Sequence, residues 1–182
     1  MKKYNYVRVS IVAVLLIAVF LIIRTFLFEN YVVNGKSMEP TLYDGNLMMV
    51  NTLTDQVSNI HRFDVIVFHA SEENDYVKRV VGLPGETVEY KDDKLYVNGE
   101  YIPEDFLEEE KEKGDADPLT EDFTLLQATG ERTVPEDELF VLGDNRGDSL
   151  DSRSIGFIPV EEVVGKVDIT YWPVNQLFKQ PR

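Results

Sequence analysis

The sequence predicts a mostly β protein: an antiparallel β domain that follows one N-terminal transmembrane helix. Apolar residues fill nearly all of the segment 7–28, and basic residues precede it. The remainder contains short runs of β-branched and aromatic residues, the pattern of half-buried strands. Turn-forming dipeptides such as Asn98-Gly99 separate these runs. A chain of 182 residues is long enough for one domain and an anchor.

The N-terminal apolar segment is predicted to be an uncleaved membrane anchor. Residues 11–23 are uninterrupted apolar residues, and their neighbours extend the segment to 7–28, long enough to cross a bilayer as a helix. A cleaved signal peptide is the alternative, but it would end in small residues of the A-x-A type, and none follow here. The positive-inside rule predicts that residues 1–6 are cytoplasmic and that 29–182 lie outside. The predicted location is therefore the cell membrane, with the lipid bilayer as a partner.

Residues 29–182 are predicted to form the antiparallel domain, with little helix. A tight hairpin is predicted where Lys94–Val97 meets Glu100–Ile102, because Asn-Gly turns suit the twist of paired strands. The other predicted strands are 31–33, 46–51, 63–69, 76–81, 87–90, 138–142 and 166–172. One stretch, from about 103 to 123, is densely acidic and poor in apolar residues. It is predicted to be a solvated insertion with at most one or two helical turns.

Composition excludes several classes of function. The formal net charge is −15, and the segment before Glu29 is basic, so the domain itself would be repelled by nucleic acid. The absence of cysteine excludes disulfides, thiolate catalysis and Cys-based zinc sites. Only His61 and His69 could supply imidazole, so a multi-histidine metal site is not expected. We predict no metal and no other cofactor.

Ser37 and Lys78 are the candidate reactive residues. Ser37 follows a glycine and a lysine in a predicted turn, where a serine is ordinarily only a turn residue. Lys78 lies in a predicted strand and shares a face with Tyr76 and Val80. It is either an edge-strand lysine or a desolvated, neutral lysine whose lowered pKa lets it act as a base. These residues alone do not decide between the alternatives, and they do not join Ser37 to Lys78.

Three segments, in order, resemble the characteristic segments of the bacterial type I signal peptidases. The first reads Gly-Lys-Ser-Met-Glu-Pro-Thr-Leu at 35–42, and the second begins Tyr-Val-Lys-Arg-Val-Val-Gly at 76–82. The third spans 143–158 and contains Gly-Asp-Asn-Arg followed by Ser-Leu-Asp-Ser-Arg. The single anchor and short domain resemble the compact Gram-positive members of this family.

The resemblance implies that Ser37 is a nucleophile and that Lys78 is its general base. Ser149 is implied to orient the lysine amine through its hydroxyl, as the third member that such pairs need. The oxyanion is implied to be held by the backbone N–H of Ser37 and by a donor at Gly35, which has no hydroxyl here. The implied supporting residues are Asp151 with Arg153, and Asp144 with Arg146.

The resemblance also implies the substrate class. Type I signal peptidases cut signal peptides from exported preproteins after a small residue, with another small residue two positions earlier. The residues implied to line the small pockets are Val33, Met38, Leu42, Tyr76 and Val77. Met38 and Leu42 could equally be core or membrane-contact residues. An extended peptide could add its backbone to the strand near 75–77.

Other hypotheses stay open from the sequence. A Ser-His-Asp hydrolase would use Ser37 with His61 or His69. A non-enzymatic envelope module is also conceivable, although the full serine, lysine and serine set argues against an inactive relative. Gly35 and Lys36 leave room for a peptidase specialised for one substrate, such as a pilin-type precursor.

Overall fold

The computed structural model describes residues 2–52, 59–114 and 118–172, which form two antiparallel β-sheets after an N-terminal helix. The larger sheet has seven strands in the order β1-β2-β11-β3-β4-β9-β10, and the smaller has four in the order β7-β6-β5-β8. The strands of the larger sheet are β1 Phe28–Val32, β2 Leu47–Asn51, β3 Val65–His69, β4 Asp75–Gly82, β9 Glu138–Leu142, β10 Ile158–Pro159 and β11 Val163–Trp172. Those of the smaller sheet are β5 Val88–Lys91, β6 Lys94–Val97, β7 Glu100–Ile102 and β8 Phe123–Thr124.

The middle of the larger sheet is buried on both faces. Successive residues of β3 point to opposite sides, so Val65 and Val67 enter one apolar cluster while Ile66 and Phe68 enter another. Because both faces are covered, β3 shows a continuous apolar run. This packing places β4 in the interior, beside β3 on one edge and β9 on the other.

The predicted antiparallel β architecture and the Asn-Gly hairpin are confirmed. β6 pairs with β7 through Asn98 and Gly99, whose φ angles are 52° and 81°. Two consecutive positive φ values are what a two-residue hairpin turn requires. The predicted strands match the observed ones except at their ends, which differ by up to three residues.

The N-terminal helix, α1, runs from Lys2 to Leu27. The predicted transmembrane segment, 7–28, falls on it except for Phe28, which begins β1. The side chains of residues 7 and 20–28 lie outside the described part. Across the described residues, we find no helix with the length and apolar character needed to cross a membrane.

The acidic insertion is only partly as predicted. It contains a 3-10 turn, Asp105–Leu107, and one short helix, α2, Glu108–Lys113. Residues 115–117 of the insertion lie outside the described residues. Glu104, Leu107 and Thr120, however, are buried, so the segment is fixed to the domain at both ends. The insertion was predicted to be solvated, and these three buried residues are the exception, for a reason that lies in the site described next.

The described fold also contains a second 3-10 turn, Val160–Glu162, and two further short α-helices. Leu125–Thr129 forms α3, which begins with a capping box between Thr124 and Gln127. Ser152–Ile155 forms α4, for which the Asp151 side chain is the N-cap. The second helix matters for the site because Asp151 is one of the predicted supporting residues.

Candidate active site

Ser37 and Lys78 are in direct contact. Lys78 Nζ donates a hydrogen bond to Ser37 Oγ at 2.8 Å, although the two residues are 41 positions apart. Ser37 lies in the loop between β1 and β2, and Lys78 lies in β4. The arrangement is that of a nucleophile and a base within hydrogen-bond reach.

The surroundings of Lys78 make its amine easier to deprotonate than that of an exposed lysine. Only 4% of the residue is exposed, and the strand neighbours on its face, Tyr76 and Val80, belong to an apolar cluster with Ile66. Burial lowers the pKa of the Lys78 amine to about 8, although the charges of Asp151 and Asp144 oppose the change. Besides Ser37, the amine donates to the backbone oxygen of Val77 at 3.1 Å. The face predicted from strand alternation is therefore the observed one.

The segment 143–149, which follows β9, packs directly on the nucleophile loop. Asn145 N–H donates to the Ser37 carbonyl and Asn145 Nδ2 donates to the Lys36 carbonyl, each at 3.1 Å. A Cβ atom at Gly143 would lie 2.1 Å from Ser149 Oγ and 2.4 Å from the Ser37 carbonyl oxygen. Only glycine permits this close approach. The sequence analysis did not single out Asn145.

Ser149 is near the site but does not contact Lys78 by a hydrogen bond. Its hydroxyl lies beside Asp151 and is one of the groups that lower the pKa of that carboxyl. No partner of hydrogen-bonding geometry for Ser149 Oγ lies within the described ranges, although the atom is buried. The orientation of the Lys78 amine by Ser149 stays a prediction.

Asp151 and Arg153 form the ion pair that was expected of them. Arg153 donates from Nε to Oδ1 at 2.9 Å and from NH2 to Oδ2 at 2.8 Å, and Gly143 N–H donates to the same carboxylate at 3.0 Å. Burial alone would raise the pKa of the Asp151 carboxyl, but the bonds and charge from Arg153 outweigh it and hold the pKa below its usual value. The carboxylate therefore stays charged and ties the loop to α4.

Asp144 and Arg146 were expected to brace the same loop, and their side chains have separate partners. Asp144 instead binds Arg79, which donates from Nε at 2.8 Å and from NH2 at 2.6 Å, with both side chains fully buried. Thr41, from the nucleophile loop, also donates to Asp144. Residues 144–148 form a bend and a turn instead of a strand, so side chains two positions apart need not lie on the same face.

Arg146 is held by residues from the acidic insertion. Its NH2 donates to Glu104 Oε1 at 2.5 Å, its NH1 donates to Tyr90 OH and Thr120 Oγ1, and its Nε donates to the Gly143 carbonyl. Burial raises the pKa of Tyr90 well above its ordinary value, so the phenol keeps its proton and donates to Glu104 at 2.7 Å. The insertion is anchored because a buried guanidinium requires a carboxylate.

The two predicted oxyanion donors differ in whether the backbone N–H already makes a hydrogen bond. Gly35 N–H donates to Asp44 Oδ1 at 2.8 Å, so this group is already engaged. Gly35 has a φ of 93°, which suits glycine and turns the chain into the nucleophile loop. The backbone N–H of Ser37 makes no hydrogen bond to any of the residues described.

The predicted pocket residues divide into two groups. Val33, Met38 and Leu42 are core residues of one apolar cluster, with almost no exposed surface. Tyr76 and Val77 are half-buried and lie on opposite faces of β4. β9 pairs with β4 only from Arg79 onward, so in the described sheet residues 75–78 have no β9 partner. The edge of β4 beside Lys78 that faces away from β3 is therefore unpaired in the described sheet.

The histidines have partners other than Ser37. His69 Nδ1 lies 2.6 Å from Asp75 Oδ1, and His61 Nδ1 lies 3.8 Å from Asp64 Oδ2. Both imidazoles are largely exposed. Since the base in contact with Ser37 is Lys78, the geometry favours a Ser/Lys pair over a Ser-His-Asp arrangement.

Comparison with known proteins finds similar sequences and a similar solved structure. Residues 4–172 match the family described as "Signal peptidase, peptidase S26". Signal peptidase I of Bacillus caldolyticus is 53% identical over 171 residues, which cover 94% of this chain and 90% of that protein. Signal peptidase I V of Bacillus subtilis is 41% identical and covers 92% of this chain and 98% of that protein. The crystal structure of a signal peptidase I from Enterococcus faecalis is similar with a TM-score of 0.55 and 48% identity, covering 59% of this chain and 95% of that one.

Proposed function

The chain belongs to the signal peptidase family, peptidase S26, and we propose that it cuts signal peptides from exported preproteins with Ser37 as nucleophile and Lys78 as general base. Membership of this family makes it a serine peptidase, a hydrolase. One observation carries the assignment of the pair: the 2.8 Å contact between a buried lysine amine and a serine hydroxyl.

The proposed reaction is acyl transfer. Neutral Lys78 accepts the proton of the Ser37 hydroxyl while Oγ attacks the scissile carbonyl carbon. The backbone N–H of Ser37 donates to the oxyanion that forms. The tetrahedral intermediate collapses, Lys78 returns the proton to the leaving amine, and the signal peptide remains as an ester on Ser37. Water, deprotonated by Lys78, then hydrolyses this ester and frees the serine.

We propose that the substrate binds as an extended strand along the free edge of β4 at residues 75–78. Main-chain pairing of this kind holds a peptide without regard to its sequence, while adjoining pockets select side chains. Tyr76 and Val77 flank this edge, and the buried Val33, Met38 and Leu42 support it from below. A tightly packed apolar floor leaves room only for small side chains, which agrees with the A-x-A sites expected from the family resemblance.

We also propose that α1 attaches the enzyme to a lipid bilayer, where signal peptides reside. The large apolar side chains described on this helix are half or more exposed, among them Val9, Val12 and Leu16. Exposed apolar surface of this extent is typical of a membrane or protein contact. Basic residues near the N-terminus predict that this end faces the cytoplasm and the β domain faces outward.

The test of the proposed function is cleavage of a preprotein with an A-x-A site by the full chain bound to lipid vesicles. We expect activity to float with the vesicles in a density gradient and the new N-terminus, read by mass spectrometry, to follow the second alanine. A preprotein with both alanines replaced by leucine is the matched control and should remain uncut. The proposal fails if the control is cut equally well. Recovery of activity away from the vesicles would contradict membrane attachment alone.

The pH dependence of the reaction gives a second prediction. With the pKa of Lys78 lowered to about 8, the amine is protonated and inactive below that pH and becomes a free base above it. We expect kcat/KM to rise about tenfold per pH unit on the acid side and to level off above pH about 8. Steady-state rates on a peptide substrate between pH 6 and 11 would show this limb. A limb near 10.4, the value of an exposed lysine, would contradict a desolvated base.

A further inference from the structure

The carbonyl oxygen of the peptide bond between Lys36 and Ser37 accepts two hydrogen bonds. Asn145 Nδ2 and the backbone N–H of Glu39 both donate to the Lys36 carbonyl oxygen, each at 3.1 Å. A trans peptide is planar, and its N–H points away from its C=O. The two bonds therefore fix the direction of the Ser37 N–H, which belongs to the same plane as the Lys36 carbonyl.

Asn145 also holds the next peptide plane. Its own backbone N–H donates to the Ser37 carbonyl at 3.1 Å, so one residue contacts the planes on both sides of the nucleophile. Asn145 is fixed in turn, because its carbonyl accepts a hydrogen bond from Asp148 N–H at 3.1 Å. The nucleophile loop thus takes its backbone orientation from the segment that follows β9.

Of the two expected oxyanion donors, the Ser37 N–H is the one that is available to a substrate. The other expected oxyanion donor, Gly35 N–H, is engaged by Asp44. The Ser37 N–H is without an acceptor among the described residues, as a preformed oxyanion donor should be. If the Lys36–Ser37 plane turned over, a carbonyl oxygen would face the developing negative charge in place of the N–H, and the stabilisation would become repulsion.

We propose that Asn145 is a positioning residue that keeps the Lys36–Ser37 peptide in the orientation that makes Ser37 N–H the oxyanion donor. The inference rests on the proposed acyl transfer at Ser37. The side-chain amide of Asn145 does not touch the substrate; it acts through the peptide that it holds. Its effect should therefore appear in the transition state and not in substrate binding.

The test uses Asn145→Asp and Asn145→Ala in the full chain. Asp has the shape of Asn but, when ionised, has no donor for the Lys36 carbonyl, and Ala removes the donor without adding charge. We expect kcat to fall about 10- to 100-fold in both variants, with KM changed less than about twofold, since loss of one oxyanion donor costs about 10²–10³ in kcat. Asn98→Asp, which adds the same charge at a hairpin turn of the smaller sheet and keeps its acceptor oxygen, should leave kcat unchanged.

A peptide aldehyde ending in alanine separates positioning from folding and from binding. Ser37 Oγ adds to the aldehyde carbon and the hydroxyl proton passes to the carbonyl oxygen, so the hemiacetal oxygen occupies the oxyanion position. We expect the inhibition constant of this aldehyde to rise by the same factor as kcat falls. The affinity of an uncleaved peptide for Ser37→Ala should not change when Asn145→Ala is added. Unchanged kcat and aldehyde affinity would overturn the inference, and so would an equal loss of peptide affinity.

If the proposed function itself is wrong, the results will differ from those that overturn the role of Asn145. In that case the unmodified chain would neither cut the preprotein nor bind the aldehyde, whatever residue stands at 145. Chemical denaturation of each variant, followed by tryptophan fluorescence or circular dichroism, shows whether the protein is folded. If Asn145→Ala unfolds, the comparison of kcat with aldehyde affinity in Asn145→Asp still decides between the outcomes.

Discussion

Replacing Lys78 with methionine is expected to lower kcat/KM by about 10²- to 10⁴-fold, the contribution of a well-placed general base. Methionine has nearly the length of lysine and is apolar, so it can fill a site in which only 4% of the native residue is exposed. Because burial disfavours the ammonium form, the substitution should not lower the free energy of unfolding. Cleavage rates on a peptide substrate and denaturant unfolding of the same preparations would measure both effects.

Matched variants test whether the loss of activity is specific to the Ser37–Lys78 pair. Lys94→Met makes the same chemical change on an exposed position of β6 and should keep full activity. Ser37→Ala should cost at least as much as Lys78→Met, and the double variant should be no worse than the single ones, because residues that act as a unit are not additive. His61→Ala and His69→Ala should remain active. Full activity in Lys78→Met, or loss of several orders of magnitude in either histidine variant, would sink the Ser/Lys assignment.

The sequence predicted the strands well because the relevant signals are local. Alternation along β4 placed Lys78 on a face with Tyr76 and Val80, and the structure confirms that face. The positive φ values of the hairpin between β6 and β7 follow from the Asn-Gly pair itself. Strand ends were less certain, because they depend on how far a neighbouring strand extends to pair with them.

Contacts between distant segments could not be derived in the same way. Nothing local brings Ser37 within hydrogen-bond distance of Lys78, since this needs the β1–β2 loop to pack on β4. Only the family resemblance joined the two residues before the structure did. The pairing of Asp144 with Arg79 shows the same limit, because the two residues are 65 positions apart and no local pattern joins them.

The oxyanion donors illustrate a further limit. A backbone N–H carries no sequence signature, so the sequence does not reveal that Asp44 engages Gly35 N–H or that Asn145 orients the plane before Ser37. Asparagine in a Gly-Asp-Asn-Arg run reads as an ordinary turn residue. Its role emerges only when the acceptors of its side chain and backbone are both known.

Composition predicted a solvated insertion but did not identify its buried residues, because composition describes a segment only on average. Most acidic residues between 103 and 123 are exposed, as expected, yet Glu104 is buried against Arg146. Which of several carboxylates meets a buried guanidinium depends on the fold. Burial of Glu104 against Arg146 is expected to have a large effect on the free energy of unfolding.

Glu104→Ala is expected to lower the free energy of unfolding by about 3–5 kcal/mol, the cost of leaving one member of a buried ion pair without its partner. Arg146 would keep its bonds to Tyr90 and Thr120, but the nearest carboxylate would be gone. Glu109→Ala, an exposed position on α2, is the matched control and should change stability by less than about 0.5 kcal/mol. Unfolding by urea, followed by circular dichroism, measures each value.

The double variant Glu104→Met with Arg146→Met distinguishes a charge effect from simple loss of packing. Removing both charges leaves no uncompensated guanidinium in the interior, so the double variant should be more stable than Glu104→Ala, although it has lost more hydrogen bonds. It should still be a weaker enzyme, because Arg146 Nε no longer holds the Gly143 carbonyl behind the nucleophile loop. If Glu104→Ala is as stable as Glu109→Ala, the insertion is solvated after all and the catalytic segment takes no support from it.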